Sequence, residues 1–150
     1  MIDRTARDRV AEVARHYVAG ISTNFALDDA LFELESNDRC IGAIRRQLWL
    51  IYDDLREHRN YGQWTLTSEQ REVITRIIMF LKTDIEYQWP AVPGWYGTLR
   101  PILRLLTLGA ASQALDERYA FQDNDNVWPF HSQSEIQEAR SDPKYLATAT

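Results

Sequence analysis

The sequence predicts an all-α fold: a single-domain antiparallel bundle of four to five main helices plus a short C-terminal helix. Three observations predict it. Apolar residues recur every three or four positions over long stretches, β-branched alternation is almost absent, and the first proline is Pro90. A length of 150 residues, 45% of them hydrophobic, suits one domain with a real core.

The first helix is expected from about Asp3 to Gly20, with Val10, Val13, Ala14, Tyr17, Val18 and Ile21 on or beside one face and Gly20 as terminator. Ser22, Thr23 and Asn24 offer caps for a short second helix, "FALDDALFELES", in which Phe25, Leu31 and Leu34 can bury. A third helix is expected from Asn37 or Asp38 to about Arg59, with Ile41, Ile44, Leu48, Ile51 and Leu55 as its stripe. "NYGQW" breaks it. "TSEQ" at Thr67 to Gln70 fits a capping box, in which each end satisfies the other's free backbone N–H. The helix that follows carries Val73, Ile74, Ile77, Ile78, Leu81 and Ile85 and is expected to end at Trp89-Pro90.

"EYQWPAVPGWYG" is a turn rich in aromatic residues. A fifth helix is expected from Thr98 or Leu99 through "ILRLLTLGAASQALDERY", apolar around most of its circumference and therefore central. "QDNDN" then turns, "VWPF" is extended, and "SQSEIQEAR" forms the last helix, with Ser132 and Glu135 as its capping pair. Residues 142–150 are expected to be a loose tail.

The formal net charge of −5 argues against nonspecific nucleic-acid binding, which needs concentrated Lys and Arg. The single cysteine, Cys40, excludes an internal disulfide and a multi-cysteine metal site, and suits a reducing compartment. With a charged start and no apolar run long enough to span a bilayer, a cytoplasmic location without membrane attachment is expected.

Catalytic motifs are missing: there is no Gly-x-Ser-x-Gly elbow, phosphate loop, dinucleotide fingerprint, His-Glu-x-x-His or Glu-x-x-His. Glu12 with His16, and Asp54 with His58, are i,i+4 pairs that could hold a metal if their helices were neighbours; exposed pairs of this kind are common, and no cofactor is expected. Arg45 and Asp84 fall on or near apolar faces and could pair. Arg100, Arg104 and Arg118 share a flank of the fifth helix and fit a structural role opposite the acids of "DDALFELESND".

What remains is recognition. Asp28, Asp29, Glu33 and Glu35 stand without a neighbouring base in an acidic stretch that runs to Asp38. Trp95, Tyr96 and Trp128 lie in the two aromatic connections, where they either cap the bundle or anchor a partner. An acidic rim beside aromatic anchors suits a basic protein partner. In size, acidity, helical class and want of motifs the chain resembles bacterial toxin-neutralising immunity proteins, and equally many accessory proteins. That resemblance, of composition and class alone, implies a noncatalytic interaction module. The alternative is a helical protein or enzyme that binds a small ligand or metal. A homodimer is a third reading, because Leu50 lies opposite the main stripe of its helix.

Overall fold

Asp3 starts the first helix by accepting the Ala6 amide on its carboxylate, and the Thr23, Asp38, Thr67 and Ser132 side chains start four more in the same manner. The computed structural model describes residues 1–52, 55–89 and 126–144. Among these the fold is all-helical, with five α-helices and no strands: α1 Arg4–Val18, α2 Asn24–Phe32, α3 Arg39–Trp49, α4 Ser68–Leu81 and α5 Gln133–Ser141, with a 3-10 turn at Gly62–Trp64. The helix expected between residues 98 and 121 lies outside the described residues.

Helix α1 packs against α2, α3 and α4, and α4 also packs against α5. Its buried face is Ala6, Val10, Val13, Ala14 and Tyr17, joined in the core by Leu27, Leu31, Ile41, Ile44, Leu48, Ile74, Ile77, Phe80 and Leu81. The start of α1 sits against the end of α4: Arg4 bonds the Leu81 and Thr83 carbonyls, and Lys82 reaches Asp8 at 2.6 Å. Gly20 ends α1 as expected. It adopts φ +70°, and the bonds Gly20 N–H to Tyr17 O and Ile21 N–H to His16 O close the helix end. Ile21, expected on the apolar face, is left exposed just past that turn.

The capping box forms as the sequence requires, with Thr67 Oγ1 accepting from Gln70 N and Gln70 Oε1 accepting from Thr67 N. At α5, Ser132 caps Glu135, but the Glu135 carboxylate reaches the His131 amide at 2.8 Å instead of the cap residue's own.

Three helices stop short of their periodicity. Helix α2 ends at Phe32, and Phe25, expected to bury, is exposed while Leu27 is buried. Helix α3 ends at Trp49, ten residues before the end expected near Arg59, and Leu55 is 85% exposed instead of buried. Further along the expected helix, the buried Asn24 takes the chain: its side chain donates to Arg56 O at 2.9 Å and accepts from His58 N at 2.7 Å. With the Asn24 N–H to His58 O bond and the Thr23–Arg59 bridge, it holds residues 56–59 extended beside the start of α2. Helix α4 ends at Leu81, where Arg4 and Arg7 take the carbonyls of the residues that follow. Arg45 donates to Leu34 O and Asp84 lies 3.7 Å from Arg4, so the Arg45–Asp84 pairing that the sequence allowed does not form.

Trp89 and the "VWPF" segment do meet. The Trp89 indole N–H donates to Pro129 O and Phe130 O, both at 3.1 Å, and Phe130 packs edge-on to Phe80.

Candidate functional site

Helix α2 is short, and its residues divide sharply. Asn24, Leu27 and Leu31 face the core, while Phe25, Asp28, Asp29 and Phe32, spaced i, i+3, i+4, i+7, share the opposite face. Phe32 is 81% exposed. Glu33 and Glu35 follow it on the exposed side of the chain. Asp28, Asp29, Glu33 and Glu35 make no ion pair among the described residues. Asp28 is fixed by the Tyr52 hydroxyl, which donates to it at 2.8 Å. That bond brings the end of α3 and its exit to the side of α2.

The same corner collects apolar surface. Eight large apolar side chains are exposed among the described residues; six of them, Ile21, Phe25, Phe32, Trp49, Leu50 and Leu55, fall between residues 21 and 55. Asn24 and Arg56 are bonded, so the segments that carry their chain neighbours Phe25 and Leu55 are adjacent. Scattered exposed apolar residues need no explanation, but a concentration of them does.

Asp38, which the sequence places at the end of the acidic stretch, does not belong to this surface. It is 4% exposed and bridged to Arg7, itself 0% exposed. Arg7 Nε donates to Asp38 Oδ2 at 2.7 Å, and Nη1 donates to Thr83 O and Ile85 O at 3.1 and 2.9 Å. The guanidinium also lies 5.2 Å from the centre of the Phe80 ring. Burial alone would raise the Asp38 carboxyl; the bonds from Arg7 and from the Asp3 and Cys40 amides outweigh it, and the net shift is downward. Cys40, next to this pair, is buried, and that burial pushes its thiol up to about 12. Arg7 lies three residues before Val10, so the helical period already put a cation on the apolar face of α1.

Among the described residues, no three histidine, cysteine or acidic side chains come together as a metal would need. Glu12 bonds Arg9 at 2.9 Å, and His16 is exposed. His58 is buried and stacks on Trp64 with ring centres 4.3 Å apart. Its Nδ1 lies 2.8 Å from the Arg56 carbonyl, which can only accept, so Nδ1 carries the proton. Asp54 lies outside the described residues, as do Trp95 and Tyr96. Trp128 is half-buried and its indole N–H donates to the Tyr87 hydroxyl at 3.2 Å. Two clefts of about 490 and 320 Å³ flank the start of α1, and neither is lined by a histidine. No helix of the described residues is long and apolar enough to cross a membrane.

No family model matches the chain, and no curated protein or solved structure matches it either.

Proposed function

We propose that the protein is a noncatalytic protein–protein interaction module, in its sharpest form an immunity-type inhibitor that neutralises a basic toxin or enzyme through an acidic, aromatic-anchored surface. One observation carries this reading: exposed phenylalanines and four acids that make no ion pair among the described residues share α2 and the residues just after it, beside the exposed end of α3. Apolar rings supply the buried area of a contact, and the acids supply steering and exclusion of wrong partners. Asp28, Asp29, Glu33 and Glu35 are its charged rim; Phe25 and Phe32 join them as anchors. Trp95, Tyr96 and Trp128 are further contact candidates from the sequence.

The test is a complex isolated from the native cell and mapped onto this face. The variant Asp28→Asn, Asp29→Asn, Glu33→Gln, Glu35→Gln is expected to slow association, and the wild-type rate is expected to fall as salt rises from about 50 to 500 mM. Association that is indifferent to both salt and the four substitutions defeats the mechanism.

A further inference from the structure

We propose that the α2 face receives a basic amphipathic helix of its partner, laid along the line from Phe25 to Phe32. This rests on the interaction reading above and names its occupant. Four features of the structure lead there.

The first is spacing. Phe25 and Phe32 are seven residues apart in one helix, hence about 10 Å apart along its axis and nearly in line. A second helix with apolar residues at i, i+3 or i+4, and i+7 repeats that interval. The second is the placement of charge. Asp28 stands on one side of the line of rings, and Asp29 and Glu33 on the other. An occupant therefore needs cations on both margins of its apolar stripe, which an amphipathic helix bearing Lys and Arg provides. The third is the backbone. Helix α2 pairs its first amide, Asn24 N–H, with His58 O and is a helix rather than an open strand edge, and among the described residues the one extended pairing, Thr23 with Arg59, is an isolated bridge. A partner strand would find no edge to extend. The fourth concerns a second copy of this chain. A two-fold contact through α2 would set Asp28, Asp29 and Glu33 against their own equivalents, and like charges face to face disfavour it.

The probe is a synthetic amphipathic peptide of about 18 residues, long enough to be helical, with a leucine stripe and lysine margins. Its controls are a scrambled peptide and one with glutamate in place of lysine. Fluorescence anisotropy is expected to show salt-sensitive binding of the lysine peptide alone, weakened about tenfold or more by Phe32→Ser and by the pair Asp29→Asn, Glu33→Gln. Thermal melting checks that these exposed substitutions leave the fold intact. A Phe32→Cys variant reports whether the face is open before binding: the new thiol should react quickly with a maleimide, while Cys40, buried in the core, gives a slow background.

Equal binding of the scrambled peptide overturns the proposal. So does a Phe32→Cys thiol that is shielded in the free protein. Shielding that persists on dilution assigns the face to the chain's own residues 98–118, and shielding lost on dilution assigns it to a second copy. If the lysine peptide fails while Phe32→Ser still abolishes capture of the native partner, the helical occupant is wrong and the interaction surface stands. If the peptide binds but no native complex maps to α2, the chemistry of the face is right and the interaction reading fails.

Discussion

Arg7 brings a full positive charge into the core and satisfies it with four hydrogen bonds, two to Asp38 and two to backbone carbonyls. The pair ties α1 to the start of α3 and to the chain leaving α4. Taking one partner away strands the other charge in an apolar setting. Arg7→Ala is therefore expected to cost about 3–5 kcal/mol in chemical denaturation, whereas replacing both Arg7 and Asp38 by apolar residues should cost less than the sum of the single changes. The carboxyl of Asp38 titrates below its ordinary range in the folded protein. Its contribution to stability is thus fully present above the unfolded value near 3.8 and is lost as pH falls through the lower folded value. Asp3 and Asp8 shift in the same direction and share that window. Melting temperature should drop steeply as pH falls below the ordinary aspartate value, and Asp38→Asn, less stable at neutral pH, should show a shallower drop. Cys40 reads out the same core. With its thiol pushed up to about 12, it should resist a disulfide-exchange reagent at neutral pH until the protein is unfolded. Rapid native-state reaction would contradict its burial.

Helix ends are decided by small polar groups. The Thr67–Gln70 box at the start of α4 was legible as four letters, and Thr67→Ala should lose about 1 kcal/mol. Gly20 at φ +70° closes α1, and Gly20→Ala should cost about 1 kcal/mol or slightly more from the left-handed backbone, since the added Cβ would meet only the Asn60 carbonyl oxygen at 3.7 Å, an ordinary contact. Asn24 carries more. Its side chain stands in for the backbone partner that residues 56–58 would have had in a longer α3. Asn24→Ala leaves the His58 amide without its bond, and a loss of about 1–3 kcal/mol is expected in the same denaturation measurement. The apolar spacing of residues 41–55 reads as one long helix because periodicity registers which positions could face a core. It says nothing of a distant asparagine that competes for the same carbonyls and amides. Ile51 is still partly buried after the helix has ended, so the pattern fails at Leu55, where the chain has turned.

Across the molecule, polarity separates by element. Helices α1 and α4 bury their stripes against each other, and among the described residues four of the eight exposed large apolar side chains, Phe25, Phe32, Trp49 and Leu50, lie on α2 or at the end of α3. A surface of this kind predicts dissociation of stability from recognition. Phe32→Ser should leave the melting temperature almost unchanged, within about 0.5 kcal/mol, because a side chain 81% exposed has little core contact to lose. The same variant should weaken partner binding severely. An isothermal titration of each variant beside its melt separates the two effects. Equal losses in both would mean that the ring supports the fold.

The sequence by itself determined the helical class, the positions of the caps, the terminator at Gly20 and most of the core stripes of α1 and α4, because these depend on neighbours within one or two turns. It also held the spacing of Phe25, Asp28, Asp29 and Phe32, although nothing local said which side of α2 would face inward. Only the tertiary structure decided that. It also turned Asp38 from a surface acid into the buried partner of Arg7, gave the carbonyls at and just after the end of α4 to Arg4 and Arg7, and bonded residues 56 and 58, expected to be helical, to Asn24. The physical reason is the same in each case: a charge or amide from far along the chain competes with local hydrogen bonding, and where burial makes an unmet polar group costly, the distant partner prevails.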